Sequence, residues 1–179
     1  MKRNILTCAA IALVFTVVAS AQMGPMQKSP ELDKLNFLVG EWNSQDELYF
    51  NPGAEPNKTT GLSNFSWEVG DLWLKQDFVS NMGPMGTMYG VGYITWDTEK
   101  GVYINHWIDN FSTANYTTTG SFNEDGGLVF TGTQQNGPVT IHDRYTWQKM
   151  DDGSVVFLLE QSTDGTNYRL TLKSTLTKK

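Results

Sequence analysis

From Leu38 to Thr175 apolar and polar residues alternate in short runs rich in Tyr, Val, Trp, Ile, Phe and Thr, the residues that suit a pleated surface. Ten such segments predict strands near 39–50, 59–69, 72–81, 87–97, 101–109, 113–123, 127–135, 139–150, 154–162 and 166–176. The junctions are turn-formers: Val69-Gly70-Asp71, Glu99-Lys100-Gly101, Glu124-Asp125-Gly126-Gly127, Asn136-Gly137-Pro138, Asp151-Asp152-Gly153 and Asp164-Gly165. Strands joined so regularly predict an all-β, antiparallel up-and-down meander, and closing it into a barrel removes the exposed edges that invite aggregation. A sandwich is the alternative, but its long crossovers find no room here. Barrels of about eight strands already hold side chains or one small ligand, so ten should enclose a cavity unless aromatics fill it.

The start of the chain breaks this period. Ser29-Pro30-Glu31 reads as a helix start, with Ser as N-cap, Pro at the first position and an acid in the first turn. Leu32, Leu35, Phe37 and Leu38 form an apolar stripe that suits a plug for one barrel end. Before it, residues 22–29 read as a tether, and Lys2-Arg3, the apolar run Ile5 to Val18 and Ala19-Ser20-Ala21 read as a secretory signal. The run has about 14 residues, fewer than the roughly 20 of a membrane span. Cys8 lies near the start of the run rather than after it, so lipid attachment is not expected. The expected organisation is a signal over 1–21, a tether and short helix over 22–34, and a barrel over 35–179.

Cleavage after Ala21 leaves 179 − 21 = 158 residues without cysteine, hence no disulfide, thiolate nucleophile or cysteine metal ligand. Charge sharpens too: 13 basic and 19 acidic residues become 11 and 19, a net −8. That balance, with no basic cluster, argues against nucleic acid or anionic lipid as partner. The expectation is a periplasmic or secreted monomer that does not stay in a membrane after processing.

Phe37-Leu38-Val39-Gly40-Glu41-Trp42 follows the helix and contains a Gly-x-Trp opening like that of calycins, the lipocalins and fatty-acid-binding proteins. Pro52-Gly53-Ala54-Glu55-Pro56, Gly90-Val91-Gly92-Tyr93 with Trp96-Asp97, Trp107-Ile108-Asp109-Asn110 and the Gly120…Asp125-Gly126 turn extend the pattern. Over roughly residues 35–175 the chain resembles the bacterial family called domain of unknown function 1579. The resemblance implies an often exported calycin-like barrel with no established activity, and it assigns no catalytic residue. Gly70-Asp71-Leu72-Trp73-Leu74 departs from the family's Gly-Gly-Arg pattern, so a basic residue at the barrel mouth is missing and an anion-binding reading weakens.

Candidate chemistry is sparse. Period two places His106 with Ile104 and Ile108, opposite Tyr103, Asn105, Trp107 and Asp109. It places His142 with Thr140, Arg144 and Thr146. Both read as hydrogen-bonded wall residues, with haem ligation inside the barrel by His106 as the sharper alternative, as in nitrobindin-like relatives of this architecture. Asp143 stands among Ile141, Tyr145 and Trp147, where a carboxyl group needs a partner. Arg144 and Arg169 are the expected partners, while Asp143, His142 and Glu160 are the acid–base candidates of an enzyme reading. Glu68 poses the same question less sharply. Met82-Gly83-Pro84-Met85-Gly86-Thr87-Met88 spaces three thioethers as a Cu(I) site could, and equally as a flexible apolar lid does. The chain lacks a Gly-x-Ser-x-Gly elbow, a dinucleotide fingerprint and a phosphate loop.

These residues favour a binding barrel for one small, mainly apolar molecule, with no cofactor and leaning away from catalysis. Trp42, Trp73, Tyr93, Trp107, Tyr145 and Trp147 are the candidate lining; alternation assigns each to a face without saying which face is inward. A small acid–base enzyme and a solidly packed structural domain are the competing classes.

Overall fold

The structure, a computed structural model, describes residues 24–179. The expected signal segment, with Cys8, and the first two tether residues lie outside the described residues. Helix α1 (Pro30–Asp33) runs into a 3-10 turn (Lys34–Phe37), and Ser29 caps it, its Oγ accepting from the Glu31 N–H. Ten strands follow: β1 (Gly40–Leu48), β2 (Asn57–Glu68), β3 (Trp73–Asn81), β4 (Thr87–Asp97), β5 (Val102–Asp109), β6 (Tyr116–Phe122), β7 (Leu128–Asn136), β8 (Val139–Lys149), β9 (Val155–Ser162) and β10 (Arg169–Lys178). Each pairs antiparallel with its sequence neighbours, and β1 closes the barrel on β10, with Trp42 opposite Lys178 and Leu48 opposite Leu172. The fold is therefore the predicted closed meander with a short N-terminal helix.

Two predicted strands begin late for a local reason. Asp109 ends β5 by accepting from the N–H groups of Phe111 and Ser112, which turns the chain and delays β6 to Tyr116. Asp164 likewise accepts from the N–H groups of Thr166 and Asn167, holding a loop where a strand was expected before Arg169. Short acids satisfy turn amides better than a ladder does, so they end strands.

The helix plugs one end. Leu32, Leu35 and Leu38 are buried against Trp42, Phe65, Leu74, Ile94, Tyr103, Leu128, Phe130, Val155 and Leu176. Three polar tethers fix the plug's angle. Trp42 Nε1 donates to the Leu38 carbonyl at 2.6 Å, Trp67 Nε1 to Asn36 Oδ1 at 2.9 Å, and the Tyr103 hydroxyl to the Glu31 carbonyl at 2.8 Å. Each large apolar side chain buried here contributes about 1.5–3 kcal/mol. Trp42, 1% exposed, is thus the keystone of a dry base.

Candidate functional site

Above that base the interior opens. Following β1 from Trp42, the inward residues are Ser44, Asp46 and Leu48, so one strand passes from dry core to polar wall within six residues. A cavity of about 780 Å³ occupies the upper barrel. Its polar lining includes Ser44, Asp46, Ser63, Gln76 and Asn105 on β1, β2, β3 and β5, and continues on β7, β9 and β10 with Gln134, Gln161 and Ser174 among others. Its apolar lining is richest on β8 to β10, with Tyr145, Trp147, Phe157, Leu159, Leu172 and Leu176. Phe78 on β3 and Trp107 on β5 add aromatic surface, their rings 6.0 Å apart. The cavity is amphipathic by construction.

Two buried acids organise this wall through glycines. Asp46 on β1 reaches over β2 to β3, where Ser80 Oγ donates to its Oδ2 at 2.7 Å. Gly61 of β2 lies beneath that bridge, and a methyl group there would stand 2.7 Å from Ser44 Oγ and 3.0 Å from Ser80 Cβ. On the other side Tyr116 of β6 reaches over β7 to Asp143 of β8, its hydroxyl donating to Oδ2 at 2.7 Å. Gly132 of β7 makes room, since a methyl group there would stand 2.8 Å from the Tyr116 hydroxyl oxygen. A side chain at either glycine would block the crossing.

The two acids differ in what remains. Asp143 is fully buried and also accepts from Gln134 Nε2 at 2.9 Å and Gln161 Nε2 at 2.8 Å, so both its oxygens are engaged. Because a carboxylate only accepts, both glutamines must turn their NH₂ groups toward it. Burial, and then the bond to Asp143, push the Tyr116 phenol well above its usual range. Burial and the nearby Asp143 charge do the same to Tyr145. Asp46, 2% exposed, has Ser80 on one oxygen, while its Oδ1 and the neighbouring Ser44 Oγ have no protein partner. A third acid, Asp109, is fully used: Trp107 Nε1 donates to Oδ2 at 2.7 Å, and two loop amides bond Oδ1.

Sequence comparison places this barrel in a family. The family described as "Protein of unknown function (DUF1579)" matches residues 27–175. The chain belongs to the DUF1579 family. No curated protein matches it. Among solved structures this DUF1579 barrel is similar to Rv2717c from M. tuberculosis, with a TM-score of 0.57 and 16% identity over 86% of this chain and 99% of that one. It is also similar to the S-type phycobiliprotein lyase CPES from Guillardia theta, with a TM-score of 0.54 and 12% identity over 82% of this chain and 91% of that one. At such identities the likeness is one of fold.

The structure sorts the residues singled out in the sequence. Trp107, Tyr145 and Trp147 line the cavity of the DUF1579 barrel, and Trp42 lies below it in the base. Trp73 and Tyr93 pack together on the outer wall, their rings 6.4 Å apart, with His106 5.9 Å from Trp73. His106 Nδ1 bonds Thr117 Oγ1 at 2.9 Å out there, facing away from any group held inside. His142 shares the outer face of β8 with Arg144 and packs on Gly165. Glu160 takes a two-pronged bond from Arg144, at 2.8 and 2.9 Å, which raises the Arg144 pKa further. That pairing corrects the expected partner of Asp143. Arg144 is the next residue in a strand, so it points to the opposite face, and neutral donors serve Asp143 instead. Of the methionines, Met82 and Met88 line the cavity, whereas Met85 is 50% exposed at the hairpin tip. Among the described residues no three His, Cys, Asp or Glu side chains gather as a metal site requires. Asp46, Ser44 and Gln76 join the site without having stood out in the sequence. Their signal was parity with Trp42 and Leu74: if those two residues face the core, so do their even-spaced neighbours.

Proposed function

We propose that this protein is an exported carrier or sensor barrel that holds one small amphipathic molecule in its upper cavity. The observation behind this reading is the amphipathic cavity itself, about 780 Å³, with aromatic and aliphatic side chains densest on β8 to β10 and polar ones spread over β1, β2, β3, β5, β7, β9 and β10. Ligand sites of that size are commonly apolar with a few converging polar groups. Binding would come from burial, at about 25 cal/mol per Å² of apolar surface, while the polar wall selects orientation. The mainly apolar ligand expected from the sequence becomes, on this reading, a ligand with one polar end. Export rests on Lys2-Arg3, the Ile5 to Val18 run and Ala19-Ser20-Ala21. Among the described residues no catalytic cluster supports a second reading: His142 and Glu160 face outward, and Asp143 is saturated.

Nile red, a neutral dye whose emission shifts in apolar surroundings, tests the reading in the purified protein. Saturable binding of one dye per chain, accompanied by quenching of tryptophan emission, is expected. Absence of saturable binding would refute the small-molecule reading. Intact-mass analysis of exported protein should give a chain beginning at Gln22.

A further inference from the structure

Half of the Asp46 carboxyl group has no protein partner, although the residue is 2% exposed and lines the cavity. Buried acceptors are almost always satisfied, and a buried carboxylate left bare is among the costliest arrangements a fold can keep. Asp143 shows that this barrel can saturate a buried acid, since three neutral side chains serve it. At Asp46 the fold stops at one donor and sets Ser44 Oγ, also without a partner, on the same face two residues earlier.

The charges nearby point the same way. The charged side chains lining the cavity are Asp46, Asp109 and Arg169. Asp109 has both oxygens occupied. Arg169 is exposed at the start of β10, five residues along that strand from Ser174, which lies opposite Asp46. At about 3.3 Å per residue it stands roughly 15 Å from Asp46 along the strand. The lining therefore offers Asp46 no nearby counter-charge.

We propose that Asp46 receives the protonated amine of a long-chain amine, with Oδ1 and Ser44 Oγ as acceptors and the tail against the apolar wall of β8 to β10. An ammonium carries three donors and no acceptor, which matches two unpartnered acceptors two residues apart on one strand face. Its hydrogen bond to a carboxylate is charge-assisted and about twice as strong as a neutral one. A fatty carboxylate would bring a like charge to Asp46. A neutral alcohol would satisfy one acceptor and leave the charge unbalanced. This proposal rests on the cavity being a ligand site.

The test displaces Nile red from the mature protein with dodecylamine, dodecanol and dodecanoate, which share a tail and differ in head group. At pH 7 dodecylamine should displace the dye at a concentration about tenfold or more below the other two, as one charge-assisted bond implies. Asp46→Asn, checked for folding by circular dichroism, should bring the three probes to within about threefold of one another while still binding Nile red. Equal affinities in the wild type, or a preference for dodecanoate or dodecanol, would overturn the ammonium site and leave the binding barrel standing. So would an amine preference that Asp46→Asn leaves unchanged. Failure of the wild type to bind the dye or any probe would overturn both readings. Should the variant not fold, the wild-type ranking decides alone.

Discussion

On one side of the barrel Asp46 reaches across Gly61 to Ser80; on the other, Tyr116 reaches across Gly132 to Asp143. Both devices use a strand whose missing side chain lets its two neighbours touch over it. Asp143 collects three donors on two oxygens and becomes part of the frame, tying β6, β7, β8 and β9 together. Asp46 collects one, leaving an oxygen without a protein partner in a residue that lines the cavity. Burial is therefore a poor guide to the role of an acid, because both are buried. The number of donors already supplied by the protein separates a structural carboxylate from one prepared for something else.

Mutations can break or sharpen that contrast. The base supplies the scale: Trp42→Ala should cost about 3–5 kcal/mol in urea unfolding, as a large cavity in a dry core does. A cost below about 1 kcal/mol would mean that the plug is not a core. Asp143→Ala comes next, at about 3 kcal/mol, because it strands a phenol and two amides that the fold has aimed at one point. Gly132→Ala should cost about 1–3 kcal/mol by forcing the Tyr116 hydroxyl off Asp143, an overpacking penalty. Asp46→Asn should change stability by less than about 1 kcal/mol, since it affects one hydrogen bond and relieves a bare acceptor. Equal losses from Asp143→Ala and Asp46→Asn would erase the distinction between the two acids.

Alkaline melts probe the same difference without a volume change. Tyr116 and Tyr145 have phenol pKa values raised above the ordinary 10.0, mainly by burial and then by Asp143. The folded state thus keeps protons that the unfolded chain releases. Their contribution is fully present below pH 10 and is lost as pH rises above it. Tyr116→Phe should flatten that fall, and Asp46→Asn should leave its slope alone. An unchanged slope in Tyr116→Phe would show that this phenol is not held neutral by its surroundings.

Much of this was legible along the chain. Alternation and turn chemistry marked ten strands, and the Ser29-Pro30-Glu31 start marked the plug. Opposite faces were also readable: Tyr103, Asn105, Trp107 and Asp109 share the inner side of β5, and His106 the outer. Such features are local, set by dihedral preference and a period of two, so adjacent residues carry them. Asp46 was legible only through its parity with Trp42, and only once Trp42 is known to face the core. It sits in Asn43-Ser44-Gln45-Asp46-Glu47, which reads as a solvated strand on both faces. Closure of β1 on β10 turned one of those faces inward and buried Ser44 and Asp46 beside Ser174. Nor could sequence pair Asp143 with Tyr116, Gln134 and Gln161, which lie 27, 9 and 18 residues away and meet it only once β6 to β9 are in register. The alternating pattern determined that there would be a barrel and which residues share each side of its wall. Only closure decided which acid was saturated and which was left with an oxygen to offer, because partners across a barrel are chosen by register and by the glycines that let them reach.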